Sequence, residues 1–315
     1  MLREKRQPLL CVVGPTASGK TDLAIQLALH FNGEVVSCDS MQVYKGMNIG
    51  TATPTKEEMC GVPHYMLDVV DPSVPYSAYQ YVLQASSCIE DIYARGKTPI
   101  VCGGTGLYLN ALLYGLHKVG DNEGQERKKL SMRVRDEGIS SLYSELVRLD
   151  PESASRISAT DERRIVRALE VFNITGNPLS YHHEMSRLSP RYDALILGID
   201  FERTALYNRI DRRVNYMIAN GLLDEVRQVL NSTPPPSHTA LQAIGYKEFA
   251  DALSGGIAME TAISQLKQST RRLAKRQMTW FRKTPGIQWI KADETNNSLA
   301  LVNQAIQMLN SFDFN

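Results

Sequence analysis

Residues 9–21 read LLCVVGPTASGKT, and they determine the kind of fold that the rest of the chain has to complete. The apolar run Leu9–Val13 predicts a buried strand, and GPTASGKT (Gly14–Thr21) has the spacing of a phosphate-binding loop between a strand and a helix. In such a loop, backbone N–H groups point into a concavity that suits phosphate oxygens, and the start of the following helix adds a favourable field. We therefore predict that a phosphorylated ligand binds here, with Lys20 reaching its terminal phosphate and the Thr21 hydroxyl holding Mg²⁺.

The composition excludes several classes of protein. With 315 residues, of which 43% are apolar and 22% charged, the chain is typical of a globular protein with one large domain or two moderate ones. A net charge of +1 requires any basic surface to be local. The five cysteines form no Cys-x-x-Cys pair, which argues against a zinc site or disulfides and favours a reducing compartment. No apolar run approaches about 18 residues, so we expect a cytoplasmic protein that does not bind a membrane.

Strand and helix patterns alternate along much of the chain. Apolar residues at helical spacing predict helices over Thr21–Phe31 and Tyr76–Arg95. Glu34–Cys38, Thr98–Cys102 and Ala194–Asp200 predict further buried strands. The alternation indicates an α/β fold, a P-loop NTPase-like parallel sheet flanked by helices, in which ligands lie at the C-terminal ends of the strands.

Two polar turns follow predicted strands at this ligand edge. Asp39 comes directly after Glu34–Cys38, and it lies close to the phosphate loop if this strand is a neighbour of Leu9–Val13. Three roles stay open for it: a Mg²⁺ ligand, a general base facing the ligand, or a cap of a helix or turn. GGTG (Gly103–Gly106) leads into a helix predicted over Leu107–Leu113, so it is either a second ligand-facing turn or only a tight turn.

Weaker signals describe the remaining α/β segments. Lys45–Thr55 is rich in Gly, Thr and Pro and predicts a loop, whereas Pro63–Asp71 contains a short strand-like run. Thr233–Ser237 predicts a rigid loop. A strand is expected from Lys291, after GIQWI, and a final amphipathic helix over Ser298–Leu309.

The character of the chain changes between about Leu116 and Pro190, where charged, helix-favouring segments replace the strands. Helices are predicted over Glu123–Glu137, Ile139–Leu149 and Asp161–Thr175. We interpret residues 116–189 as a small all-helical insertion domain, and residues 1–115 and 190–315 as the P-loop-type α/β core.

Arginines cluster on the third of these predicted helices, at Arg163, Arg164 and Arg167. Such a cluster is either a contact surface for a polyanion or a solvated face paired with Asp161 and Glu170. The sequence leaves both interpretations open.

A second arginine-rich helix is predicted over Arg203–Asn220. Arg209 and Arg213 share one of its faces because they are four residues apart. If this face abuts the phosphate loop, one of these guanidinium groups can bind phosphate oxygens in a forked geometry.

The longest helical signal, Ala258–Lys283, is basic. No acidic residue occurs within residues 261–292, while Lys and Arg recur and Trp280 lies near the helix end. Basic charge with aromatic rings is what contact with a nucleic-acid backbone and stacking on bases require. Alternatively, Leu266, Leu273 and Trp280, seven residues apart, form a core stripe; both interpretations hold if one face packs and the other binds.

Taken together, these motifs resemble the bacterial tRNA dimethylallyltransferase family, over nearly the whole chain. The resemblance is carried by Gly14–Thr21, Asp39–Thr55, Gly103–Leu112, Asp161–Val171, Leu206–Val214, Ala243–Glu248 and Thr270–Lys283.

The resemblance implies transfer of a dimethylallyl group from dimethylallyl diphosphate to the exocyclic amine of the adenosine 3′-adjacent to the anticodon in tRNA, with Mg²⁺ as cofactor. It implies that Asp39 is the general base, assisted in catalysis by Lys20, Thr21 and Arg213, with Thr21 as the metal ligand. The diphosphate of the donor is then held by Gly14, Pro15, Thr16, Ala17, Ser18, Gly19, Lys20 and Thr21. We expect a monomer.

The resemblance also carries contacts with the anticodon stem-loop over to a set of positions spread along the chain. They are Asp39, Ser40, Met41, Gln42, Thr105, Arg127, Arg163, Arg164, Ile165, Val166, Arg167, Ala243, Ile244, Gly245, Tyr246, Lys247, Glu248, Arg276, Gln277, Met278, Thr279, Trp280, Phe281, Arg282 and Lys283.

Three alternatives share the phosphate loop. A P-loop kinase of a small metabolite needs no basic aromatic helix. A prenyltransferase of free adenine nucleotides acts on AMP without tRNA. An RNA-binding nucleotide switch binds ATP or GTP and leaves the RNA unchanged.

Overall fold

The computed structural model describes residues 6–115, 124–188, 190–292 and 298–309. The chain divides into two compact units: an α/β unit made of Met1–Leu113 and Tyr192–Asn315, and a helical unit, Tyr114–Arg191. Glu123, where the first helix of the insertion was predicted to begin, lies outside the described residues together with 116–122.

The α/β unit is built on a six-stranded sheet in the described part of the chain. Its strands are β1 (Pro8–Val13), β2 (Gly33–Ser37), β3 (His64–Tyr65), β4 (Thr98–Gly103), β5 (Asp193–Phe201) and β6 (Ile287–Ala292). They lie in the order β3-β2-β4-β1-β5-β6, and all the paired strands are parallel. The central strand β1 is buried throughout Leu9–Val13, as its continuous apolar run requires when helices cover both faces of a parallel sheet. The predicted fold class, a P-loop NTPase-like parallel sheet, is confirmed.

Strand order and strand bounds correct two expectations. The strand that precedes Asp39 is not a neighbour of β1, because β4 pairs with both β1 and β2 and lies between them. Since all three strands end at the same edge of the sheet, Asp39 nevertheless lies on the side of the phosphate loop. The last strand begins at Ile287 rather than near Lys291, because GIQWI itself pairs with β5.

The helices of the α/β unit are α1 (Lys20–His30), α2 (Asn48–Thr51), α3 (Ala78–Ala94), α4 (Gly106–Tyr114), α10 (Arg203–Ala219), α11 (Leu222–Leu230), α12 (Tyr246–Leu253), α13 (Met259–Phe281) and α14 (Ser298–Leu309). Helix α1 buries Leu23 and Leu27 in a core that includes Leu10 of β1 and Leu197 of β5. Three of these helices were not predicted: α2 lies inside an expected loop, α11 follows α10 directly, and α12 begins within the segment Ala243–Glu248, for which no helix was predicted. All three contribute to the site described below.

The helical unit contains α5 (Gln125–Glu137), α6 (Ile139–Leu149), α7 (Pro151–Arg156), α8 (Glu162–Thr175) and α9 (Leu179–Leu188). Its core includes Leu130, Leu142, Leu146 and Leu169. Neither α7 nor α9 was predicted. Pro151 is the first residue of α7, where its missing N–H costs nothing.

Candidate active site

The phosphate loop between β1 and α1 is tightly curled. Ala17 and Gly19 adopt positive φ angles of 65° and 87°, and the N–H of Ser18 donates to the carbonyl of Pro15 at 3.3 Å. A Cβ at Gly14 would lie 2.9 Å from Ser18 Oγ, so a larger residue there would displace the serine side chain. Residues that alternate between right- and left-handed conformations turn successive N–H groups into one concavity, which suits an anion.

Three cations surround this loop. Lys20 Nζ donates to the carbonyl of Pro15 at 3.4 Å, Arg209 Nε to the carbonyl of Ala17 at 2.8 Å, and Arg213 to Thr16 Oγ1 at 3.4 Å.

Within the described ranges, none of these three cations makes an ion pair with a carboxylate. Burial lowers the pKa of Lys20 and of Arg213, while the charge of Asp39 opposes the shift in both. Half-buried cations without a carboxylate partner are costly in a fold, and an anionic ligand would remove that cost.

Three adjoining cavities meet at the loop. A large cavity of about 620 Å³ is bordered by Lys20, Thr21 and Arg209. An apolar cavity of about 290 Å³ is bordered by Met217, Leu222, Ile244, Leu266 and Leu273 together with Asp39 and Thr105. A narrow cavity of about 40 Å³ contains Lys20, Thr21 and Asp39. Arg213 borders all three, so an anion on the loop and an apolar or aromatic group beyond Asp39 can approach each other.

The structure brings Asp39 and the second glycine turn together. Asp39 is half-buried, and its Oδ1 accepts the N–H of Met41 at 2.9 Å. Thr105 Oγ1 accepts the N–H of Ser40 at 3.0 Å. A Cβ at Gly103 would lie 2.1 Å from the carbonyl oxygen of Cys38, so the glycine is needed for this close approach. GGTG is thus a turn at the ligand edge, and Asp39 borders both smaller cavities.

Gln277 joins the two glycine-containing loops. Its Oε1 accepts the N–H of Thr16 at 2.8 Å, and its Nε2 donates to the carbonyl of Gly104 at 3.1 Å. Near the end of the same helix, the Trp280 ring lies so close to Gly106 that a Cβ there would be 2.1 Å from the indole. Sequence reasoning placed Gln277 among the RNA contacts and missed this bridge, because only the fold brings the three segments together.

The basic helix α13 has a packed face and an open face. Its buried residues are Ala262, Leu266, Ala274, Gln277 and Phe281. The expected core stripe is therefore only partly right: Leu266 is buried, whereas Leu273 is half-buried and Trp280 is 40% exposed. The exposed positions near its end are Arg272, Lys275, Arg276, Thr279, Arg282 and Lys283, and Met278 is half-buried.

The other positions carried over as RNA contacts differ in accessibility. In the α/β unit, Ser40, Met41, Gln42 and Ile244 are half-buried, Lys247 is exposed, and Ala243, Gly245, Tyr246 and Glu248 are buried. In the helical unit, Arg127, Arg163 and Arg164 are exposed, Arg167 is half-buried, and Ile165 and Val166 are buried. In each of these segments, the buried side chains pack inside the unit and the exposed side chains face solvent.

Several arginines of the helical unit are paired with carboxylates. Arg127 and Arg167 both bind Glu170 Oε2, at 2.7 and 2.8 Å, and Arg164 lies 3.4 Å from Asp161. The pairing expected from the sequence is therefore present for Arg164 and Arg167.

Two negative findings apply to the part of the chain that the structure describes. It contains no group of three or more His, Cys, Asp or Glu side chains able to hold a metal ion. It also contains no helix of the length and apolarity needed to cross a bilayer.

Models of known families match the chain in two places. A model described as IPP transferase matches residues 42–284. A model described as isopentenyl transferase matches residues 8–73, which include the phosphate loop.

Curated relatives are similar over nearly the whole length. A tRNA dimethylallyltransferase from Thermoanaerobacter sp. (strain X514) is 46% identical over 306 residues, covering 96% of this chain and 97% of the relative. One from Geobacter sulfurreducens is 45% identical over 295 residues, covering 93% and 95%.

Solved structures extend the similarity to the fold. A tRNA delta(2)-isopentenylpyrophosphate transferase from Staphylococcus epidermidis is 39% identical with a TM-score of 0.72, covering 97% of this chain and all of that one (100%). A eukaryotic dimethylallyltransferase acting on tRNA is 32% identical with a TM-score of 0.82, covering 97% of this chain and 80% of the other.

Proposed function

The chain belongs to the IPP transferase family, that of the tRNA dimethylallyltransferases, and we propose that it transfers a dimethylallyl group from dimethylallyl diphosphate to the exocyclic amine of the adenosine 3′-adjacent to the anticodon in tRNA. One observation carries the proposal: an anion site with unpaired cations adjoins an apolar cavity, with Asp39 and Arg213 bordering both the narrow and the apolar cavities. That is the arrangement needed to bring a diphosphate ester and a purine together.

The phosphate loop and its cations hold the diphosphate. As the bond between the allylic carbon and the diphosphate oxygen breaks, negative charge grows on the leaving group. Loop N–H groups, Lys20 and Arg213 stabilise that charge, since donors and cations held in place before the reaction need no reorganisation when the charge develops.

Asp39 takes the proton that the adenosine amine must lose. The amine nitrogen forms a bond with the allylic carbon, the diphosphate leaves with the electron pair of the broken bond, and the proton passes to the carboxylate. General-base help of this kind contributes on the order of 10²–10⁴-fold to a rate. Asp39 borders the apolar cavity, where a flipped-out purine fits.

We propose Mg²⁺ as the metal, held by the Thr21 hydroxyl and the diphosphate. The site suits it, because Thr21 borders the large and narrow cavities, and Mg²⁺ needs few protein ligands when phosphate oxygens and water complete its shell. When bound, the ion supplies Lewis-acid neutralisation of the leaving group.

The RNA contacts are proposed for the exposed members of the carried-over segments. In the α/β unit these are Arg276 on α13, and Arg282 and Lys283 directly after it, with Thr105 at the target nucleotide; in the helical unit they are Arg163 and Arg164. We further propose that the protein acts as a monomer in the cytoplasm, where its RNA substrate is found. The relatives' names favour neither a small-metabolite kinase nor a prenyltransferase of free nucleotides.

The test is incubation with labelled dimethylallyl diphosphate, Mg²⁺ and unmodified tRNA, followed by nucleoside analysis. We expect label in isopentenyladenosine next to the anticodon and release of diphosphate. A matched tRNA with guanosine at that position is the control. Label transferred to AMP alone, or phosphoryl transfer from ATP without RNA, would contradict the proposal.

A further inference from the structure

Glu225 on α11 is a buried carboxylate outside every motif that the sequence singled out. Its exposed fraction is 8%, whereas the side chain of the adjacent Asp224 is 73% exposed. Glutamate is almost never buried without partners. The fold must therefore compensate this charge.

Four hydrogen-bond donors converge on it. Oε2 accepts the N–H groups of Asn48 and Ile49, each at 2.7 Å. Oε1 accepts the N–H of Gly50 at 2.8 Å and the hydroxyl of Tyr246 at 2.7 Å. No Lys or Arg forms an ion pair with Glu225 in the described chain. Its charge is satisfied by the turn that it holds, through charge-assisted hydrogen bonds.

That turn, α2, forms a wall of the active site. Asn48 and Ile49 border the large cavity, and Gly50 and Thr51 border the apolar cavity. At the C-terminal end of the turn, the amide of Gln42 donates to the carbonyl of Thr51 at 3.4 Å. The turn is therefore fixed between Glu225 and the segment that carries Asp39.

Tyr246 supports the same turn. Its side chain is fully buried, and a Cβ at Gly50 would lie 2.9 Å from its ring. Burial raises the pKa of Tyr246, and the neighbouring Glu225 raises it further, so the hydroxyl stays protonated and donates. Tyr246, which the family resemblance assigned to RNA contact, thus supports α2 through its hydrogen bond to Glu225.

We propose that Glu225, assisted by Tyr246, is a positioning residue for the transfer. It holds α2 where this wall keeps the allylic carbon facing the adenosine amine and excludes water. The inference rests on the proposed function. With the wall displaced, water attacks the allylic carbon in place of the amine: a carbon–oxygen bond to water forms, the bond to diphosphate breaks, and dimethylallyl alcohol, diphosphate and a proton result.

The test compares Glu225→Gln with the unmodified protein in the labelled assay, measuring kcat, KM and the ratio of dimethylallyl alcohol to prenylated tRNA. The glutamine side chain places its NH₂ group against the backbone N–H groups of α2, where two donors face each other. We therefore expect α2 to shift. We expect kcat to fall by about 10- to 100-fold, as for a misplacement of about 1 Å, and the alcohol fraction to rise. Tyr246→Phe keeps the ring against Gly50 but removes one hydrogen bond to Glu225. It should lower kcat and raise the alcohol fraction by smaller amounts. If Glu225→Gln does not fold, Tyr246→Phe provides the test.

Glu34→Gln is the matched control. Glu34 is 4% exposed, accepts the hydroxyl of Tyr65 at 2.8 Å and, unlike Glu225, is paired with an arginine, Arg95; it lies at the start of β2, away from the ligand edge. It should lower the melting temperature and leave kcat, KM and the alcohol fraction unchanged.

Two results overturn the inference alone: normal kcat and alcohol fraction in Glu225→Gln, or equal changes in Glu34→Gln. Absence of prenylated tRNA with the unmodified protein overturns the proposed function, and the positioning role with it.

Discussion

The arginines at the ligand edge of the α/β unit and those of the helical unit have opposite surroundings. Arg209 and Arg213 donate to uncharged groups of the phosphate loop, and neither forms an ion pair among the described residues. Arg127 and Arg167 both bind the buried carboxylate of Glu170. Both regions are arginine-rich in the sequence, so the residue type by itself does not distinguish them.

The two environments differ in whether the guanidinium charge is available to bind an incoming anion. A guanidinium without a carboxylate keeps its full charge for an incoming anion, at a cost in stability that the fold bears at its ligand site. A paired guanidinium is engaged in the fold, and its charge is largely neutralised. Charge at the ligand edge should therefore affect chemistry, and the charges of Arg127 and Arg167 in the helical unit should affect stability first.

Asp39→Ala should produce the largest effect at the ligand edge. Removing the proposed base lowers prenyl transfer by at least about 100-fold, while tRNA binding stays nearly intact because no exposed basic side chain changes. Single-turnover rates and tRNA binding by filter retention measure the two. Normal turnover would remove Asp39 from the mechanism.

Arg213→Met tests the unpaired cation directly. Removing a group that stabilises charge on the leaving group should lower kcat by about 10²-fold. The control is Arg133→Met in the helical unit, where Arg133 pairs with Glu137 and Glu145; these partly exposed pairs are worth about 1 kcal/mol or less. Equal losses of activity in both variants would break the distinction between the regions.

Thr21→Ala should raise the Mg²⁺ concentration needed for half-maximal activity by about tenfold, since one hydroxyl ligand among phosphate and water oxygens is lost. A Mg²⁺ titration at fixed dimethylallyl diphosphate measures this. Thr98→Ala, at the other end of the sheet, is the matched control. An unchanged metal requirement would rule out the proposed role of Thr21.

Glu170→Gln should act on stability. It removes the carboxylate shared by Arg127 and Arg167, and we expect the free energy of unfolding to fall by about 1–2 kcal/mol. Denaturant unfolding followed by circular dichroism measures it, with kcat at saturating tRNA expected to stay constant. A lower kcat with unchanged stability would show that this cluster serves chemistry instead.

Charge reversal at Arg276 and Arg282 should have the smallest effect per site. Weaker tRNA binding and a shallower dependence on salt are expected, by about one unit of slope for each lost phosphate contact. Affinity at several salt concentrations measures the slope, and Lys97→Glu, remote from α13, is the control. An unchanged slope would leave α13 with only its packing role.

Much of the site was predictable because its signals are local. The spacing of Gly14–Thr21 acts on consecutive backbone units, and the apolar run of β1 requires burial wherever the strand lies. The absence of acidic residues near the end of α13 likewise marks its open face. Such features depend on neighbours in the chain, so the sequence by itself determined the loop, the fold class and the basic helix.

Only the tertiary structure decided which distant residues share a contact. β4 separates β1 from β2, Gln277 reaches Thr16 across 261 positions, and Glu225 turns part of a predicted loop into α2 across 175 to 177 positions. Periodicity reports only which face of an element is apolar, and it carries no information on the partner. A glutamate in an amphipathic helix therefore predicts an exposed charge until the fold supplies the N–H groups that bury it.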